Sequence, residues 1–312
     1  MVKGERDNMK RILLVADEPG WVFERHCREI KKRMPEYDMD IAYHRQDIPN
    51  LSKGYDCVYV CDPMPMQYPP SSKTIMGLRN EFLYREHPQG AKGLYHNGFP
   101  GRCVSIKDKC SIFHVVNINL MEVFEDVVTD KPLLLAQHGV DENLFDRDKY
   151  KREIHEGIIV SAAGRGSKNK GFGAVKKACE ELGINHISAS YGSKKRNKEQ
   201  MPLFYNGVDI HVCMSLSEGL NNPIIEAGAM GVPVISTRSG VAMEIIKDGE
   251  SGFLIDRNMD SLKEAIVKLK DKEIRDNIGN KLYQEIMKNW TWKVRIEDFR
   301  KMFKLFFDMK GK

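Results

Sequence analysis

Glu218 and Glu226 stand with seven residues between them in the segment Ser217-Glu218-Gly219-Leu220-Asn221-Asn222-Pro223-Ile224-Ile225-Glu226-Ala227-Gly228-Ala229-Met230-Gly231-Val232-Pro233-Val234. The surrounding residues prescribe a shape. Asn222 is a good helix N-cap and Pro223 is preorganised for the first helical position, so a helix is predicted to begin there, after a strand carrying Val212 and Cys213. Gly231 stops that helix and Pro233 keeps it stopped. A strand end, a polar turn and a helix start place backbone N–H groups and the positive end of the helix dipole at the carboxyl edge of a sheet, a seat for phosphate. Glu226, expected in the first helical turn, is placed to accept both hydroxyls of a ribose, and Glu218 in the preceding turn to accept hydroxyls of a sugar.

Phosphate also calls for cations. The run Gly164-Arg165-Gly166-Ser167-Lys168-Asn169-Lys170-Gly171 follows another strand and supplies them. Arg165 can fork onto two phosphate oxygens while Lys170 acts as a point charge. Charge-assisted hydrogen bonds of this kind contribute about 1.5–3 kcal/mol each. Two of them and a helix end would hold a diphosphate without magnesium.

Such turns need parallel sheets with crossover helices to position them, and short Val- and Ile-rich runs alternate with helical stretches along the whole chain. The fold class is α/β. The first series of strands is expected at Arg11 to Ala16, Asp40 to Tyr43, Cys57 to Val60, Thr74 to Gly77, Ile112 to Val116 and Leu133 to Ala136, with a helix from Val22 to Met34. The second is expected at Ile158 to Ala162, Ile187 to Ala189, Ile210 to Cys213, Val234 to Ser236 and Gly252 to Ile255. Asp141 to His155, dense in charge and without periodicity, reads as the crossing between two domains. The expected organisation is a first domain over 1–150, a second over 151–295 and a final helix over 296–312. Tyr84 to Asp108 reads as a long irregular excursion.

Bulk properties narrow the classes. The 312 residues, 41% hydrophobic, suffice for two cores. A net charge of +5 allows anionic ligands but falls short of a nucleic-acid-coating protein. Seven scattered cysteines, several in apolar runs, point to buried thiols, a reducing cytoplasm and no structural metal. The charged N-terminus lacks an apolar signal core, and no run approaches the roughly 18 apolar residues of a spanning helix. The expectation is a cytoplasmic protein with at most peripheral contact at the inner membrane face.

Taken together, Glu218 and Glu226 resemble the E-x7-E signature of the retaining glycosyltransferases of family 4, and Gly164-Arg165 with Lys170-Gly171 resemble that family's Gly-Arg…Lys-Gly turn. His138-Gly139-Val140-Asp141-Glu142-Asn143-Leu144-Phe145, then Tyr205, Asp209 and Ser215, then Gly240, Glu244, Gly249 and Gly252 are similar to further family passages, so the resemblance spans about Leu133 to Ile255. It implies the GT-B fold, two Rossmann-like domains with parallel sheets facing across a cleft, and metal-independent transfer of a sugar, typically a hexose, with retention of configuration. It implies a nucleotide-sugar donor, no further cofactor, and a glycan, lipid-linked or small-molecule acceptor; nucleic acid is not expected as a partner. It assigns Arg165 and Lys170 to the diphosphate, Glu226 to the ribose, and Glu218 with the backbone of Gly219, Leu220, Asn221 and Asn222 to the transferred sugar. Catalysis falls to Arg165, Lys170 and Glu218, with Gly164 shaping the cationic turn. The alternatives are a nucleotide-sugar epimerase of the same fold, a nucleotide-sugar-binding protein without activity, and an enzyme of this chemistry acting on nucleic acid.

The chain also departs from the family. Gly219-Leu220-Asn221 replaces Gly-Phe-Gly, so Asn221 is expected to add a side chain beside the sugar, and Val241 follows Gly240 where a second glycine is common. In the first domain Asp17-Glu18-Pro19-Gly20-Trp21 replaces a glycine-rich turn; only Gly20 remains to approach the donor, and of two readings for Trp21, stacking on a sugar face or packing on the following helix, packing is the expected one. No His follows the fourth strand, where Arg79 and Glu81 are read as either cleft-facing or surface groups. His114 reads as a core residue, and His96 and Arg102 as weak acceptor contacts. Lys194 to Lys198 and the basic face Arg25, Arg28, Lys31, Lys32 and Arg33 read as solvated surfaces. The stripe Trp290, Trp292, Phe299, Met302, Phe303, Phe306 and Phe307 is expected to pack between domains.

Overall fold

β-branched runs bounded by turns fold into two parallel sheets, each covered by the helices that connect their strands. In this computed structural model the residues described are 9–63, 66, 68–79, 106, 109–150, 152, 155–164, 168–190 and 198–311. The chain divides into two compact units, Met1–His138 with Ile296–Lys312, and Gly139–Arg295. The division at His138 falls ahead of Tyr150 for a local reason. Val140 N–H donates to Trp290 O at 2.8 Å and Trp292 N–H to Val140 O at 2.9 Å, which ties the passage after Gly139 to the second unit.

In the first unit the strands are β1 (Arg11–Ala16), β2 (Asp38–Tyr43), β3 (Cys57–Val60), β4 (Thr74–Leu78), β5 (Ile112–Val115) and β6 (Leu133–Leu135), and the helices α1 (Val22–Arg33), α2 (Ile48–Leu51) and α3 (Ile118–Glu125). The sheet order is β2-β1-β3-β4-β5-β6, parallel throughout. In the second unit β7 (Ile159–Gly164), β8 (Asn185–Ser190), β9 (Ile210–Cys213), β10 (Val234–Thr237) and β11 (Phe253–Ile255) alternate with α4 (Phe172–Leu182), α5 (Met201–Asn206), α6 (Asn222–Ala229), α7 (Ala242–Ile245), α8 (Met259–Lys268) and α9 (Lys272–Asn289). Their order is β11-β10-β9-β7-β8, again parallel. One core of the second unit joins Val160, Ile210, Val212 and Ile235 of the strands to Val175, Leu262, Ile266 and Ile278 of the helices.

The last helix, α10 (Trp292–Lys310), contributes Ile296 onward to the first unit. There Phe299 and Phe303 are fully buried, with Phe303 5.8 Å from the Tyr59 ring and Phe299 5.9 Å from His114. The aromatic stripe is therefore core rather than a membrane face. No described helix is long and apolar enough to cross a membrane. The basic residues of α1 are partly neutralised locally, Arg28 by Glu24, Arg33 by Glu29 and Lys31 by Asp40.

His114 is a core residue, as its apolar setting predicts; its Nε2 lies 3.0 Å from Tyr59 Oη, and burial holds its pKa well below the usual value. Arg79 is neither cleft-facing nor on the surface. It is 5% exposed, folds back over Gly77, and donates to Cys61 O at 2.7 Å and Tyr59 Oη at 2.8 Å. A Cβ at Gly77 would stand 2.4 Å from Cys61 O and 3.1 Å from Arg79 Nε, so the glycine is what lets the arginine fold inward. Trp21, the N-cap of α1, is 38% exposed. Glu81, His96, Arg102 and Lys194 to Asn197 lie outside the described residues.

In the second unit His211 of β9 is 1% exposed, pairs with Ser161 Oγ at 2.9 Å, and is lowered by burial to a pKa of about 3. The folded imidazole stays neutral where the unfolded one, with a pKa near about 6.5, takes up a proton. Its stabilising contribution is thus complete above that unfolded value and is lost as the pH falls toward the folded one. Denaturant unfolding at pH 6.5 and pH 4.5 checks this: wild type is expected to lose about 2 kcal/mol more over that interval than His211→Gln.

Candidate functional site

The strand order of the second sheet reverses between β7 and β9, which are hydrogen-bonded neighbours although β8 comes between them in the chain. Open α/β sheets bind ligands in the crevice beyond the strand ends at such a point. The turns following β7 and β9 are the cationic turn and the Glu218 turn.

The first turn leaves β7 at Gly164, whose φ of 130° suits a residue without a Cβ, and passes through a 3-10 turn at Lys168–Lys170. Gly171, at φ 68°, then starts α4. A Cβ there would stand 2.6 Å from Met214 Cβ and 2.7 Å from Met214 O, so the glycine permits contact between the two turns. Leu216 N–H donates to Asn169 O at 3.1 Å and closes the same seam. Arg165, Gly166 and Ser167 lie outside the described residues.

Across this seam the Lys170 ammonium donates to Glu218 Oε1, an oxygen that also accepts from Ser215 Oγ at 2.5 Å. The Lys170 and Glu218 side chains are only 23% and 11% exposed. Solvent therefore screens them weakly, and each partner makes the other's charge tolerable in a low dielectric. The turn is braced from behind. Thr237 Oγ1 donates to Ser215 O at 2.5 Å, and a Cβ at Gly240 would stand 2.6 Å from Gly219 O and 2.8 Å from Glu218 Cβ. Gly240 carries the positive φ of 56°, while Val241 after it is ordinary right-handed backbone and fully buried, so no second glycine is needed.

Helix α6 departs from the expected cap by one residue. It includes Asn222, and its N-cap is Asn221 in the left-handed region (φ 66°, ψ 66°) with no capping hydrogen bond from its side chain. The Asn221 amide instead donates to Cys213 Sγ at 2.7 Å. Asn221 is 7% exposed, so the side chain expected beside the sugar is turned inward. Cys213 ends β9, and burial, then the nearby Glu218 charge, pushes its thiol pKa up. Leu220 is buried in the core and contributes only backbone to the turn surface.

Glu226 consequently lies in the second turn of α6 rather than the first. Its Oε2 accepts from Tyr205 Oη at 3.2 Å. Tyr205 is fully buried, with ring neighbours Phe204 at 5.2 Å, His211 at 5.5 Å and Phe145 at 6.5 Å. Aromatic packing thus sets the position of a polar hydroxyl that holds the carboxylate.

Lys170, Glu218, Gly219, Asn221 and Asn222 are accordingly brought to one sheet edge, with Gly164 beneath Lys170: a Cβ on that glycine would stand 3.8 Å from Lys170 Cε. Gly20 belongs to the first unit. Its amide donates to Glu24 Oε2 at 2.8 Å and so serves the start of α1. Burial works to raise the Glu24 pKa, but hydrogen bonds from Arg28, Gly20 and Tyr43 prevail and lower it. Residue types alone did not reveal Cys213, Met214 or Thr237 as partners of the site, because an apolar strand end and a hydroxyl on the next strand carry no spacing signal.

Residues 148–285, which contain Lys170, Glu218 and Glu226, match the family described as Glycosyl transferases group 1. A probable sucrose-phosphate synthase of Thermosipho melanesiensis is 32% identical over 196 residues, covering 53% of this chain and 45% of that protein. The chain spans 28% and 45% of the length of two curated relatives that it matches. Among solved structures, sucrose-phosphate synthase from Thermosynechococcus elongatus superposes with a TM-score of 0.73 at 12% identity, over 96% of this chain and all of that one. HepE of Anabaena, solved with UDP and glucose, gives 0.68 at 13% identity, over 95% of this chain and 100% of its own. The fold is therefore GT-B, two parallel-sheet Rossmann-like domains.

The contact of Gly171 with Met214 makes a direct test of how the two turns are joined. Gly171→Ala adds a Cβ at positive φ and inside a 2.6 Å approach, and is expected to cost about 2–4 kcal/mol in denaturant unfolding. Gly173→Ala, where a Cβ meets nothing within 4 Å, is expected to leave stability unchanged or slightly improved.

Proposed function

We propose that the chain is a glycosyltransferase, moving a sugar, in the first instance a hexose, from a nucleoside diphosphate donor to an acceptor hydroxyl. The observation that carries this reading is the Lys170–Glu218 pair beside the amino end of α6, on the switch point of the second sheet. Lys170 and the α6 amino end supply positive charge for a diphosphate. Glu218 is proposed to meet the sugar hydroxyls, and Glu226, which accepts from Tyr205 Oη, the ribose. HepE, a protein of the same fold, was solved with UDP-glucose, which makes uridine the first base to try.

Catalysis in this reading is electrostatic. Charge develops on the departing diphosphate, and cationic groups already fixed in place stabilise it without reorganising. Arg165, next to Gly164, is proposed to join Lys170 in that role. Because Lys170 and α6 meet the leaving charge, transfer is proposed to need no metal. Glu218 is held by Lys170 and Ser215, so it is proposed to bind the sugar and not to attack it, leaving the acceptor hydroxyl to approach the same face with retention of configuration.

Transfer assayed with a panel of UDP-, GDP-, ADP- and TDP-sugars tests the proposal. Lys170→Ala and Glu226→Ala are each expected to lower turnover by about 100-fold or more while circular dichroism stays native. Near-normal turnover in both would refute it. Transfer by the wild type is expected to persist in EDTA, and its loss there, restored by a divalent cation, would refute metal independence.

A further inference from the structure

Asn221 is the one non-glycine residue at positive φ among the described residues. Asn tolerates the left-handed region better than most residues, yet the conformation is still costly unless its surroundings determine it. Asn is also among the strongest helix-capping residues, and Asn221 occupies the cap position of α6 without capping it. Both facts have one local cause. Its amide donates to Cys213 Sγ at 2.7 Å, a sulfur fixed at the end of β9.

The contact joins the two ends of the Ser215–Asn222 turn. Cys213 precedes the turn, Asn221 closes it, and the thiol lies 3.5 Å from Ser215 Oγ, which donates to Glu218 Oε1. Asn221, Cys213, Ser215 and Glu218 thus form one hydrogen-bonded chain ending at Lys170. We propose that Asn221 and Cys213 form an internal anchor that holds this turn in its ligand-binding shape and keeps the Asn221 amide from occupying the amino end of α6, where the donor's phosphate charge is received. They are positioning residues, acting through the turn and not on the substrate. The inference rests on the diphosphate site proposed above.

A double-mutant cycle tests the anchor. Wild type, Asn221→Gly, Cys213→Ala, the double variant and Cys213→Ser are titrated with UDP by calorimetry, and the melting temperature of each free protein is measured. Glycine keeps the left-handed backbone and removes only the anchor. Asn221→Gly and Cys213→Ala are each expected to weaken UDP binding by about 3- to 10-fold, the double variant no more than the weaker single. Cys213→Ser, whose hydroxyl accepts the same bond, is expected to bind within about twofold of wild type. The melting-temperature shifts of the two singles are expected to be non-additive as well.

Losses in UDP affinity that multiply, or melting shifts that add, would overturn the anchor. Coupled melting shifts with unchanged UDP affinity would overturn its role at the ligand site. If the wild type bound none of UDP, GDP, ADP or TDP, the donor reading would fail and the ligand half of the anchor with it, while coupled melting shifts would still report the Asn221–Cys213 contact by itself.

Discussion

The parallel pairing of β7 with β9 is the constraint on which the proposed site depends. Val160 pairs with Ile210 and Ser161 with His211, while β8 lies on the outer side of β7. The crossover from β8 therefore has to pass back over β7 to reach β9, and at that reversal the loops leaving β7 and β9 diverge to opposite faces of the sheet. Lys170 and Glu218, forty-eight positions apart, become direct partners as a result. Neither turn has the required chemistry alone. One brings the cation, and the other brings the carboxylate and the helix end.

Close backbone approach then sets how tightly the assembly is defined. Gly171 lies against Met214 and Gly240 against Glu218 and Gly219, at separations no side chain could occupy. These contacts put the seam under steric control, so a shift of a few tenths of an ångström in one turn is felt by the other. Hydrogen bonds from Thr237 to Ser215 and from Tyr205 to Glu226 extend that control outward to β10 and α5. The polar groups at the edge are thus oriented by neighbours that are themselves packed, as the electrostatic catalysis proposed above would demand.

The first unit uses similar materials for stability. Arg79 is drawn under the sheet edge by Cys61 O and Tyr59 Oη and lies 5.5 Å from the Phe23 ring, while His114 stays neutral beside it. A buried guanidinium with hydrogen-bonding neighbours and an aromatic face is a tolerable core element, though a costly one to disturb. Phe299 and Phe303 cover this cluster from α10. The region after β4 therefore serves packing in the residues described.

Much of this was legible in the chain itself. Val- and Ile-rich runs at regular intervals determined two parallel sheets, since a strand buried on both faces has no room for polar alternation. Glu218, Glu226, Lys170 and the glycines already marked the site proposed here for phosphate and sugar, because capping, turn and charge rules act over a few residues and leave a local record. Other features could not be read there. That Asn221 would turn inward depended on a sulfur eight positions earlier, that Arg79 would be buried depended on Gly77 and Tyr59, and that α6 would begin at Asn222 depended on the left-handed backbone before it. Each of these was decided by atoms that become neighbours only once the strands have paired, and no local propensity encodes that pairing.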